Sequence, residues 1–230
     1  MLRYGLPEHT VVNNSEIKNS QQSGIRAEED STITVNGTVL SSNRQSGINA
    51  SRRSSISVTG STISGNERGG ILAEGAANIK IVGSTITNNI ADAGAGINVD
   101  VGSKVDVVNS TISGNTAGGP FAGTAHGGGI IVNSKTQLTL DNSTVSDNVV
   151  RSIKESAGGG ISMLGGPSTK VTLINSKVTG NDANASQDIK QTFGGGIDNR
   201  VGTLSLQGDS QVSDNFPNNC EKKIEGCGAQ

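Results

Sequence analysis

The chain has 230 residues, with 33 glycines, 2% aromatic residues, no Trp and a single Tyr, which excludes a core centred on aromatic side chains and an interface anchored on Trp. A net charge of -2 with 17% charged residues speaks against both a nucleic-acid binder and a highly charged disordered tail. The apolar fraction is 32%, below the roughly 45–50% of ordinary globular domains, and the length fits one or two domains.

No apolar run approaches the roughly 18 residues of a membrane helix, and the aromatic girdles of a membrane barrel are missing. The opening MLRYGLPEHT has no apolar h-region, so it does not read as a signal peptide. Either the chain is cytosolic or its true start is missing.

Self-similarity organises everything else. Gly is followed by Ile at Gly24, Gly47, Gly70, Gly96, Gly129, Gly160 and Gly196, in steps of 23, 23, 26, 33, 31 and 36. This is one coil of fixed length that accepts loop insertions.

In chain order, each coil begins with a short strand. Its two apolar columns run through Ile33, Ile56, Ile79, Val105, Leu138, Val171 and Leu204 and, two residues on, through Val12, Val35, Val58, Ile81, Val107, Leu140, Leu173 and Leu206. A bend follows at Asn14, Gly37, Gly60, Gly83, Asn109, Asn142, Asn175 and Asp209, residue types that enter the left-handed region at low cost. Next comes a hydroxyl column from Ser15 and Thr38 to Ser176 and Ser210, suited to bonding turn backbone.

The second strand carries Ile17, Leu40, Ile63, Ile86, Ile112, Val145, Val178 and Val212. Three residues later stand Asn43, Asn66, Asn89, Asn115, Asn148, Asn181 and Asn215, amides placed to bond to one another along an axis, with Ser20 in the first coil. The third strand is the Gly-Ile strand. Period-2 alternation in short β-branched runs reads as strand, and like residues then stack about 4.8 Å apart. The fold expected is all-β: a single-stranded parallel β-helix, or solenoid, of about eight coils of three short strands.

The text STISGN … GGGI resembles the right-handed parallel β-helix, or pectate-lyase-like, superfamily over residues 5 to 216. It is most similar to the passenger repeats of polymorphic outer-membrane proteins and related bacterial surface proteins. Those pair a GGAI-like tetrapeptide with FxxN; here GGGI ends at Ile130, Ile161 and Ile197, and IxxN runs from Ile63 to Asn66. The resemblance implies a right-handed helix over residues 1–216, a C-terminal cap or tail over 217–230, and an extracellular or bacterial cell-surface location. NFPNNC, from Asn215 to Cys220, resembles terminal coils of secreted members.

Cys220 and Cys227 read either as a small disulfide-closed loop, which suits secretion, or as two thiols on a tail. Tyr4, Gly5 and Leu6 read as the remains of an earlier Gly-Ile strand, so preceding coils from a larger parent, or a partner over the first coil, are expected.

Insertions fall on one side, between the Asn column and the Gly-Ile strand. Three residues stand there after Asn43 and Asn66, six after Asn89, then 13, 11 and 14 after Asn115, Asn148 and Asn181. The resemblance makes this the border of the face on which enzymes of this fold bind polysaccharide. Long loops on that side are expected to wall a groove or form a knob. The candidate binding residues are Phe121, His126, Arg151, Lys154, Glu155, Asp188, Lys190 and Phe193 on the loops, with Asn98, Asp100, Asn133, Asp198 and Arg200 facing outward on the bordering strands.

For catalysis, the candidates are Asp198, Arg200, His126, Arg151 and Lys154. Asp198 and Arg200 lie two apart and point the same way, but the nearest other strand carboxylate, Asp100, is three coils off, and the pair reads first as a solvated ion pair. Phe121 and Phe193 read first as pins for their own loops. There is no zinc spacing, EF-hand or calcium nonapeptide, so no cofactor is expected, with calcium only for a lyase. The function expected is a non-catalytic, secreted or cell-surface, adhesin-like module that binds carbohydrate or a host surface. A polysaccharide lyase, or less readily a hydrolase, is the alternative. A mixed Thr and Ser grid around Thr85 and Thr87 makes ice binding a minor one.

Overall fold

The computed structural model describes residues 9–183, 191–221 and Cys227. Among these residues every regular element is a strand, every pairing is parallel, and no helix is long and apolar enough to cross a membrane. Tyr4, Gly5 and Leu6, and the candidates Asp188 and Lys190, lie outside the described residues.

Three sheets run the length of the stack. One has eight strands from His9–Asn13 to Thr203–Gln207, the second eight from Glu16–Lys18 to Gln211–Ser213, and the third seven from Ile25–Ala27 to Ile197–Asn199. In each, a strand bonds to the equivalent strand of the next coil, so a residue lies over its counterpart: Ile86 between Ile63 and Ile112, Ile97 between Ile71 and Ile130. The architecture is therefore a parallel β-helix.

The core is the stack of aliphatic columns. Ile33, Ile56, Ile79, Leu40, Ile63, Ile86, Ile48, Ile71 and Ile97 are all buried. Each such side chain contributes roughly 1.5–3 kcal/mol on removal from water. The glycine before each buried Ile is fixed by space: a Cβ on Gly70 would lie 2.6 Å from the Gly96 carbonyl oxygen and 3.0 Å from Asn89 Nδ2.

Two polar ladders hold the corners. From Asn43 to Asn181, each Asn donates from its backbone N–H and its side-chain amide to the side-chain oxygen of the Asn one coil on, as Asn89 does to Asn115 (both 3.0 Å). The same amide donates to a strand carbonyl, Asn89 to Ile63 at 3.0 Å. These fully buried side chains are satisfied only because the coils repeat in register. The hydroxyl column works likewise: Ser84 donates to the Val82 carbonyl and accepts from the Ser61 N–H (2.9 and 3.1 Å).

The bend column has positive φ from Asn14 (45°) to Asn175 (48°). In the last coil Gly208 (φ 59°) takes the place expected of Asp209, because that coil carries one extra residue before its second strand. A second left-handed column, from Asn19 through Ser42, Gly65 and Asn88 to Asp214, was not anticipated; it precedes the Asn ladder and turns the chain at the second corner.

The inserted segments are more ordered than expected of loops. They form two further three-stranded parallel sheets. Ile90–Ala91, Thr116–Gly118 and Val149–Arg151 make one, and Thr124–His126, Glu155–Ala157 and Gln191–Phe193 the other. Ala91, Ala95, Ala117, Ala125 and Val150 form a small second core between them. Segments without a periodicity of their own become strands because successive coils deliver them one above another, where each meets the backbone of the last.

At the far end, Phe216 bridges to Asp182 and Cys220 to Ile197, so residues 216–221 continue the stack. Cys220 and Cys227 form a disulfide with Cα atoms 6.3 Å apart.

Candidate functional site

The outer inserted sheet folds back over the third sheet through the GGG triplets. Gly127, Gly158 and Gly194 open these triplets with φ of 64°, 61° and 47°. A Cβ on Gly158 would stand 2.5 Å from the Ile161 carbonyl oxygen. Only glycine lets the two layers approach so closely.

The fold-back covers positions expected to face solvent. Ile131, Ser162 and Asp198 are outward on the third sheet by the pleat, yet all three are buried, with Asp198's side chain 1% exposed. The expectation of a solvated Asp198–Arg200 pair is thus corrected.

Alternation also sorts the covering strands. Ala125 faces the small Ala/Val core, while His126 and Glu155 turn the other way, toward Asp198 and Arg200. In register, Thr124, Glu155 and Gln191 form one row, and His126, Ala157 and Phe193 the next.

The result is a charged cluster drawn from three coils. Arg200 donates from Nε to Asp198 Oδ2 (3.1 Å) and from Nη2 to Glu155 Oε1, and its guanidinium lies 5.6 Å from the Phe193 ring centroid. His126 Nε2 is 3.9 Å from Glu155 Oε1, and the Ser162 hydroxyl is 3.5 Å from Asp198 Oδ2. Asp198 Oδ1 and His126 Nδ1 are buried without a hydrogen-bond partner.

Burial pushes the Asp198 carboxyl above the ordinary value, against the opposing bond and charge of Arg200. Burial, with the Arg200 charge, pushes His126 below its ordinary value. Burial disfavours the Arg200 charge, but the bonds it donates to Glu155 and Asp198 outweigh it and its pKa is raised.

Beside the cluster opens a cavity of about 380 Å³ lined by Glu155, Gln191, Phe193, Asp198, Arg200 and Glu221. Among the expected residues, the structure brings together His126, Glu155, Phe193, Asp198 and Arg200. The carboxylate that the sequence left three coils away is supplied by Glu155, from an inserted strand.

Other candidates lie elsewhere. Asn133 donates weakly to Asn98 (3.4 Å), and Asn98 lines a separate surface groove with Asn49, Leu72, Arg68 and Asp92. Asp100 accepts from the Val101 N–H in a turn (2.7 Å). Arg151 and Lys154 are exposed and do not line the 380 Å³ cavity. Phe121 is 91% exposed, so it does not pin its loop; Phe193 is half-buried against Arg200.

Gln191 and Glu221 were missed. Gln191 is an unremarkable loop residue until its strand pairs with Glu155–Ala157. Glu221 reaches the cavity only because the terminal segment continues the stack, its N–H donating to the Ile197 carbonyl (2.9 Å).

Among the described residues, no group of three or more His, Cys, Asp or Glu is placed to hold a metal ion. Neither the curated proteins nor the solved structures compared with the chain give a match. The model of the right-handed β-helix region matches residues 7–178, and with its parallel coils and stacked ladders the chain belongs to the right-handed β-helix family.

Proposed function

We propose that this chain is a non-catalytic, secreted or cell-surface β-helix module that binds carbohydrate in the cavity beside Arg200. The observation that carries the reading is its lining: an aromatic ring, a guanidinium, an amide and three carboxyl groups around about 380 Å³. Such groups suit a ring of C–H faces and hydroxyls, with planar side chains against the faces and charged donors and acceptors for the hydroxyls. The Cys220–Cys227 disulfide supports an oxidising compartment, and hence an extracellular or bacterial surface location.

The test is a panel of polysaccharides and glycans presented to the intact chain. Binding to at least one glycan, weakened about tenfold or more by Arg200→Ala or Phe193→Ala, supports the reading. A panel without any binding overturns it.

A second reading, a polysaccharide-active enzyme, is favoured by one feature. Asp198 and Glu155 share Arg200 but occupy different settings, the first 1% exposed and pushed toward its protonated form, the second 22% exposed and ion-paired. A pair of carboxyl groups with divided environments is what acid–base hydrolysis of a glycosidic bond needs. Arg200, engaged by two carboxylates, is poorly placed to be a lyase base. Release of new reducing ends, abolished in Asp198→Asn, decides for hydrolysis; unsaturated uronate products decide for the lyase.

A further inference from the structure

We infer that the saccharide suited to this cavity carries free amino groups, as in a glucosamine polymer. The inference rests on the carbohydrate reading above and adds the class of sugar.

Among the described residues that line the cavity, three acidic side chains, Glu155, Asp198 and Glu221, face one cation, Arg200. That cation is already engaged by Asp198 and Glu155 and packs against Phe193. Glu221 adds a further acid, held by an Asn218 amide at 3.5 Å. Arg151 and Lys154 are exposed and lie outside the lining, as does His126, whose pKa burial lowers.

Asp198 lines the cavity, its side chain is 1% exposed, and its Oδ1 has no donor. A buried carboxyl oxygen without a donor is costly, and a ligand that supplies one recovers that cost. His126 Nδ1 is a second buried atom of the cluster without a partner.

An ammonium group brings three donors and a positive charge to such a place. An N-acetyl group brings a single N–H and no charge. A uronate brings a carboxylate to a lining already rich in them, where the cation among the described lining residues, Arg200, is engaged by Asp198 and Glu155.

The test compares short oligomers of matched length, made of glucosamine, N-acetylglucosamine or galacturonate. Binding is measured by calorimetry on the intact chain and on Asp198→Asn and Glu221→Gln. The glucosamine oligomer is expected to bind at least about tenfold more tightly than the other two. That preference should weaken with added salt, shrink severalfold in Glu221→Gln and be lost in Asp198→Asn. Glu221 is only half-buried, so Glu221→Gln keeps the test decisive should Asp198→Asn not fold.

Equal binding of the three oligomers, a preference for galacturonate, or a preference unchanged in both variants overturns the amino-sugar inference. In those cases the carbohydrate reading stands, because a saccharide has bound. Failure of every oligomer and every member of the wider panel overturns both.

Discussion

The side-chain oxygen of Asn219 accepts hydrogen bonds from the backbone N–H and the side-chain amide of Asn215, four residues earlier, at 3.1 and 3.2 Å. Three rungs earlier in the ladder, Asn148 receives the same pair from Asn115 at 3.0 and 2.9 Å, but across a full coil of 33 residues. Asn219 thus supplies the next rung without a next coil. It closes the ladder, giving the Asn215 backbone N–H an acceptor while the Asn215 amide also donates to the Val178 and Ser213 carbonyls.

Two Asn substitutions should therefore differ in cost. Asn115→Ala strips the acceptor from the Asn89 N–H and amide and the donor from the Ile86 carbonyl, all buried. Its cost should be about 3 kcal/mol or more, since each abandoned buried group costs about 1–3 kcal/mol. Asn219→Ala removes the terminal acceptor and should cost less, about 1–2 kcal/mol. Urea melts of the two variants check the ranking, and equal costs would contradict it.

Ile86→Ala should destabilise by about 2–5 kcal/mol, because the rigid stack of Ile63 and Ile112 cannot close on the hole. Thr87→Ala, on the half-buried outer side of the same strand, should stay within about 0.5 kcal/mol. Thermal unfolding of the pair reads the inward face directly.

The buried Asp198 and His126 should oppose each other in the pH profile of stability. A raised carboxyl pKa means that the folded state holds its proton longer. That contribution is full below the unfolded value of 3.8 and is lost as pH rises through the folded value. A lowered imidazole pKa acts in reverse: its contribution is full above 6.5 and is lost as pH falls through the folded value. Melting temperature against pH should therefore lose its decline above pH 3.8 in Asp198→Asn, and lose its decline below 6.5 in His126→Gln.

Gly158→Ala should damage both fold and site. It places a Cβ 2.5 Å from a carbonyl oxygen at a φ of 61°, in the turn that seats Glu155–Ala157 over Ser162. A loss of about 1–3 kcal/mol is expected, together with weaker ligand binding. Gly166→Ala, where a Cβ meets nothing within 4 Å, should be nearly silent.

Reduction of the Cys220–Cys227 disulfide should lower stability by about 2–3 kcal/mol for so short a loop. Because Glu221 follows Cys220 directly and lines the cavity, Cys220→Ser should also weaken binding. A melt and a titration in matched oxidising and reducing buffers test both.

The sequence by itself determined the coil, its length, its inward columns and its two polar ladders, because each feature recurs at the same place in every turn and a parallel stack converts repetition directly into contact. Ile63, Ile86 and Ile112 in file, and Asn66, Asn89 and Asn115 likewise, are legible one coil at a time. The site is legible only in part, because it is built from what does not repeat. His126, Glu155, Phe193 and Arg200 are visible as loop or edge residues, but nothing in their spacing announces that three insertions pair into a sheet and fold back over Asp198. That layer, the burial it imposes on Asp198, and the arrival of Glu221 from the terminal segment were decided by the tertiary structure. Insertions carry no period of their own, and only the stacking of their parent coils brings their backbones into register.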